Sequence, residues 1–116
     1  MDGATALRML LDAKATIGAR DPGGRTPLHL AAEGNDISAM RVLADANADV
    51  DAKDQQSETP LYKAASNGHD AAVLALVEMK ASVDGVNAAS LTALHMAATN
   101  GHRSTLYLLL DAMRKQ

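Results

Sequence analysis

The heptapeptide Thr26-Pro27-Leu28-His29-Leu30-Ala31-Ala32 returns as Thr59-Pro60-Leu61-Tyr62-Lys63-Ala64-Ala65 and again as Thr92-Ala93-Leu94-His95-Met96-Ala97-Ala98, each time after 33 residues. A fixed internal period of this length restricts the fold more than any single residue does. Each copy is one supersecondary unit, too small to bury its own apolar face, so the units must stack in a row.

Each copy reads as the start of a short helix. Threonine is a good N-cap, because its hydroxyl accepts from an orphan amide of the first turn. Proline at the first helical position loses no hydrogen bond and has its φ preset. The leucine that follows turns inward, and the alanine pair keeps the helix thin enough for close neighbours. The composition agrees: 47% of residues are hydrophobic but only 2% are aromatic, with no Phe and no Trp. A globular core of this size ordinarily draws on aromatics for buried area. A core of Ala, Leu, Val and Met instead suits thin helices packed in layers.

The TPLHxAA signature at a 33-residue period resembles that of the ankyrin repeat family, and the likeness covers nearly the whole chain. The second copy departs at Tyr62 and Lys63, the third at Ala93 and Met96. The resemblance implies an all-α solenoid of stacked helix-turn-helix units with short β-turn fingers. One domain over residues 1–116 is expected, divided into a half repeat at 1–20 and repeats at 21–53, 54–86 and 87–116. Residues 1–20 read as a second half repeat, since Leu7, Met9, Leu10 and Leu11 precede Met40, Val42, Leu43 and Ala44 by 33. They are expected to follow on from a longer array, the other reading being an atypical N-terminal cap.

Along the first full repeat, Asp21-Pro22-Gly23-Gly24-Arg25 is a turn cluster in which Gly24 can take positive φ without strain. Helices are expected at 27–33 and 38–46, broken by Gly34-Asn35, with Met40, Leu43 and Ala44 on one face. The second repeat places Ser57 where Gly24 stood, at a cost on the order of 1 kcal/mol if the left-handed backbone is kept. Asn67-Gly68 makes its inter-helix turn, and Val73, Leu76 and Val77 point inward. The last repeat has Ser90 in the glycine place and a second helix from 106 to 113, closed by basic Arg114 and Lys115, which suit a helix C-terminus. Where the family pattern has glycine after the second helix, this chain has Lys14, Asn47 and Lys80, and only asparagine is at ease there. These departures describe a natural sequence of modest stability.

Several function classes fall away. The formal charge is −3 with signs interspersed, no basic run and almost no aromatics, so nucleic acid is not an expected partner. No apolar stretch is long enough to cross a membrane, and no secretory leader is visible. Zero cysteines exclude disulfides and thiolate zinc, and suit an intracellular protein, cytoplasmic or nuclear. His29 and His95 hold fixed repeat positions, where the resemblance implies that the imidazole braces the turn through backbone and threonine hydroxyl bonds. His69 and His102 each follow an inter-helix glycine, again one repeat apart. Residues so related lie about 10 Å apart, the distance between packed helices, which is too far for one ion. Asp21, Asp54 and Asn87 share a turn position where Asx side chains bond their own backbone. No nucleophile elbow, phosphate loop or H-E-x-x-H occurs. No catalytic residue, metal or cofactor is therefore expected.

What remains is the set of positions that vary on a constant frame. In the resembling family these are the hairpin tips and the exposed side of each first helix, which together line a concave binding face. On this chain the tips are Pro22, Gly23 and Arg25, then Gln55, Gln56 and Glu58, then Ala88, Ala89 and Leu91. The helix positions are Glu33 and Gly34, Ser66 and Asn67, and Thr99 and Asn100. Leu91 is an apolar residue at an expected exposed tip, and Lys63 is a charge where the sister copies have Leu30 and Met96. The expected function is a non-enzymatic protein-protein interaction module, mostly monomeric, with weak self-association through open repeat ends. The alternative is a structural or regulatory spacer within a larger protein.

Overall fold

The computed structural model describes residues 17–115. Among them are six helices that form three hairpins: α1 (Pro27–Glu33) with α2 (Ile37–Asp45), α3 (Pro60–Ser66) with α4 (Asp70–Glu78), and α5 (Ala93–Thr99) with α6 (Arg103–Arg114). Every first helix begins as the sequence implies. Thr26, Thr59 and Thr92 adopt extended backbone, and their side chains accept from the N–H three residues on. Pro27 and Pro60 occupy the first turn, where the missing N–H costs nothing.

The substantial helix contacts run within a hairpin or between adjacent hairpins, first helix on first helix and second on second. That is the nearest-neighbour packing of a solenoid. The particle measures 39 × 25 × 24 Å, with the stack giving the long axis. Between the layers lies one continuous core: Leu28, Met40, Leu43, Leu61, Val73, Leu76 and Leu109 are all at or within one per cent of full burial. Ala32, Ala64, Ala65, Ala72 and Ala97 have no exposed area at all. Alanine at these places lets the helices close on each other, which explains a core without Phe or Trp.

The fingers precede the first helices. Each is a tight turn closed by its own backbone: Asp21 N–H to Arg25 O at 3.0 Å, Asp54 N–H to Glu58 O at 3.0 Å, and Asn87 N–H to Leu91 O at 2.9 Å. In each, one Asx oxygen takes two further N–H groups. Asp21 Oδ1 takes those of Gly23 and Arg25, Asp54 Oδ1 those of Gln56 and Glu58, and Asn87 Oδ1 those of Ala89 and Leu91. Strand pairing among the described residues is limited to a lone antiparallel bridge, Val86 with Thr92.

The backbone confirms the register of the fingers. Gly24, Ser57 and Ser90 have φ of 79°, 62° and 64°. Asn47 and Lys80 likewise hold positive φ after α2 and α4, at 68° and 69°. Lys14 and the apolar residues 7–11 lie outside the described residues. Three details differ from the sequence expectation. The second helix of the first hairpin starts at Ile37, because Asp36 caps it by accepting from Ala39 N–H. Within Gly34-Asn35 it is Asn35 that turns left-handed, at φ 55°, while Gly34 keeps φ −88°. Finally, α6 begins at Arg103, three residues before the expected start, and ends at Arg114, past Asp111, the place where by the period the earlier second helices stop.

Candidate partner-binding face

The fingers and first helices lie side by side because backbone bonds tie each unit to the next. Gln55 N–H reaches Gly23 O at 3.0 Å, and Ala88 N–H reaches Gln56 O at 2.8 Å. His69 Nε2 bonds Glu33 O at 2.9 Å and His102 Nε2 bonds Ser66 O at 3.0 Å, so these imidazoles clip each second helix onto the end of the preceding first helix. His29 does the same in the opposite sense. Its Nδ1 takes the N–H of Thr26 at 3.0 Å, which leaves the proton on Nε2, and Nε2 gives it to Glu58 O at 2.7 Å. Burial holds the His29 imidazole below its usual pKa, against the pull of the Glu58 carbonyl and the Asp54 charge. His95 makes the same bonds to Thr92 but is exposed.

The sister position of Leu30 and Met96 explains Lys63. Its ammonium stands 2.7 Å from Glu58 Oε1, 3.0 Å from Asp54 Oδ2 and 3.8 Å from Glu33 Oε1, with only 14% of the side chain exposed. Asp54 is the buried member of this set. One of its oxygens takes the two finger N–H groups, and the other has no hydrogen bond among the described residues, only the lysine charge. Burial alone would raise the Asp54 carboxyl. The Glu58 and Gln56 amides together with Lys63 outweigh that and hold it below the usual carboxylate range. Burial alone would likewise lower the Lys63 ammonium, but its bond to Glu58 and the Asp54 charge raise it. Lys63 is thus an internal tie spanning two units, and a leucine here would leave Asp54 buried without a counter-charge.

Arg25 extends the same net. It bonds Asp21 Oδ2 at 2.8 Å and Glu33 Oε2 at 3.2 Å. Asn87 Nδ2 donates to Tyr62 Oη at 2.9 Å, so the tyrosine that replaced the signature histidine still reaches the next finger. Burial and the nearby Glu58 charge push the Tyr62 phenol up. Four carboxylates (Asp21, Glu33, Asp54, Glu58) stand here against Arg25, Lys63 and Arg20, the last bonded to Gly24 O and Lys53 O, an excess of one negative charge.

The remaining positions expected at the face divide in two. Gln55 Nε2 donates to Pro22 O at 2.9 Å, and Asn100 Nδ2 to Ser66 O at 2.8 Å, so both bridge adjacent units. Pro22, Gln56, Asn67, Ala88, Ala89 and Thr99 are exposed. Leu91, expected at an exposed tip, is partly buried. Leu30 is the residue that sequence reasoning passed over. It is 46% exposed and stands one helical turn before Glu33. Its apolar type pointed to a core position, and only the charged residue at the sister position, Lys63, could have signalled otherwise.

Among the described residues no cluster of His, Asp and Glu could hold a metal, and no helix is long and apolar enough to cross a membrane. The family model for ankyrin repeats (3 copies) matches the chain over residues 1–87 and 47–116. Among curated proteins none matches it.

Proposed function

Since the chain belongs to the ankyrin repeat family, whose repeats are in general protein-protein interaction modules, we propose that it binds a partner protein through its finger tips and first helices. It acts by surface complementarity as an intracellular monomer, without catalysis or cofactor. The observation that carries this reading is the charged net from Arg25 to Asn87, which sets the side chains in place before any partner arrives. Ordering long side chains at an interface costs about 0.5–1.5 kcal/mol each, and here much of that ordering is already done.

Arg25, Gln56, Glu58 and Leu91 form the centre of the proposed site. Around it stand Pro22, Glu33, Gln55, Ser66, Asn67, Ala89, Thr99 and Asn100, and Leu30 supplies an exposed apolar contact. The acidic balance of the net favours a partner segment carrying basic or hydrogen-bond donor groups. A specific interface buries about 800 Å² per partner, so the partner must span several fingers.

The test compares two double variants against a protein captured by the purified domain. Arg25→Ala with Leu30→Ala is expected to weaken binding at least tenfold, about 1.4 kcal/mol. It should move the melting temperature little, because partly exposed ion pairs and an exposed leucine contribute little. Asp45→Ala with Glu78→Ala, on the second helices, should bind as the parent does. If the second-helix pair abolishes binding and the finger pair does not, the site assignment fails. If the domain captures nothing specific, it is a spacer.

A further inference from the structure

The finger face changes character along the stack. The first two units carry charges at the finger and first helix, among them Arg25 and Glu33 on one and Glu58 and Lys63 on the other. Between Asp84 and Arg103 the sequence has no Asp, Glu, Lys or Arg at all. Place by place, Val86 stands where the earlier fingers have Arg20 and Lys53, and Leu91 where they have Arg25 and Glu58. Ala89 takes the place of Gln56. Val86 is 44% exposed, Ala88 and Ala89 are exposed, and Leu91 is partly buried. The tip places stay open inside the stack as well, since Gln55 and Gln56 are exposed with a later unit beside them.

On the charged half, the carboxylates around Lys63 are incompletely met. Its one ammonium is drawn inward to the buried Asp54 Oδ2 at 3.0 Å, and is shared with Glu58 Oε1 at 2.7 Å and Glu33 Oε1 at 3.8 Å. The second Glu58 oxygen takes only a long bond from Asn87 Nδ2, at 3.4 Å. The Glu58 and Glu33 side chains are 17% and 29% exposed, so a group arriving from solvent can reach both. Glu58 and Leu91, one period apart, thus put an open carboxylate and an apolar contact on adjacent fingers.

Taking the finger face as the binding surface proposed above, we infer that its ligand is an extended segment that sets a lysine or arginine against Glu58 and Glu33 and an aliphatic side chain, three places away, against Leu91 and Ala89. The spacing follows from the stack. Corresponding places on adjacent units lie about 10 Å apart, the distance between packed helices. In polyproline II conformation residues three apart face the same side at about 9 Å. Residues three apart on a β-strand point to opposite sides, and three residues of helix advance only about 4.5 Å.

The probe is a library of random 12-residue peptides displayed on phage and selected on the whole chain. Enriched sequences should share a Lys or Arg three places from a Leu, Ile or Val, and a synthetic copy should bind less tightly as salt is raised. Glu58→Gln should weaken that peptide about threefold, on the scale of a partly exposed ion pair. It should leave unchanged the peptide whose basic residue is replaced by glutamine. Leu91→Ala, and Ala89→Asn at an exposed tip outside the core, should each weaken the peptide several-fold. Neither should affect the peptide whose aliphatic residue is replaced by alanine. Enriched peptides that lose binding with Arg25→Ala and Leu30→Ala, yet carry no such pair or ignore Glu58→Gln, would overturn this inference and leave the finger face as the site. Peptides indifferent to the finger pair and to all three single variants would overturn both. Enrichment of no peptide would overturn the short extended ligand and leave the face to a folded partner.

Discussion

Ser57 and Ser90 show how a residue can be out of place and still be read correctly. Neither is a natural choice for φ of 62° and 64°, yet both sit 33 and 66 residues after Gly24, and the period carries the backbone with it. Ser57→Gly and Ser90→Gly are therefore expected to stabilise the fold by up to about 1 kcal/mol each. Urea midpoints would show this, and a loss of stability for both would mean that the hydroxyls hold something the backbone angles do not reveal. Lys63 was the opposite case. Its oddness was legible, but its reason was not, because its partners come from Glu33, Asp54 and Glu58, three places that meet only when two units stack. Leu30 was hidden for a related reason: an apolar letter in a helix reads as core until its neighbours are known.

At the scale of elements, local chemistry was enough for the first helices and less so for the second. Thr-Pro fixes where α1 and α3 begin, and the alanine pairs mark their buried sides. The start of α2 was missed by one residue because Asp36 caps it. The start of α6 was missed by three residues because it follows directly on His102, a cap residue whose side chain makes no capping bond. The joint between α1 and the second finger has a titratable clasp in His29. Its folded pKa lies below the ordinary 6.5, so as pH falls through 6.5 the unfolded chain takes up a proton that the folded one refuses. Stability contributed by the neutral imidazole is then present above that value and is lost as pH drops below it. Denaturation at pH 7 and pH 5.5 should show a fall for the parent and a smaller fall for His29→Gln, whose amide can still donate to Glu58 O. Equal falls in both would show that His29 does not carry the effect.

For the whole molecule, the period implied a row of units, and the three stacked hairpins form one. A row has ends, and its ends are weaker than its middle. Amide exchange should accordingly be slowest in α3 and α4, which have neighbours on both sides, and faster in α5 and α6. Uniform protection across all four would contradict a nearest-neighbour stack. The candidate site was legible as a set of varying positions, because fingers and first helices recur in register. Its charged centre was not, since a net of contacts has no signature in a linear pattern.

The ties between units also have a time order. The finger N–H groups of Gln55 and Ala88, and the imidazoles of His69 and His102, all belong to the later unit, and each reaches back to a carbonyl of the earlier one. On the ribosome, which releases the N-terminal part first, every new hairpin thus emerges to find its acceptors already standing in place. Among the ties between successive units, those through Arg20 and His29 must wait until Lys53 and Glu58 have been made. Synthesis and stacking run in the same direction, and the molecule can be laid down one course at a time.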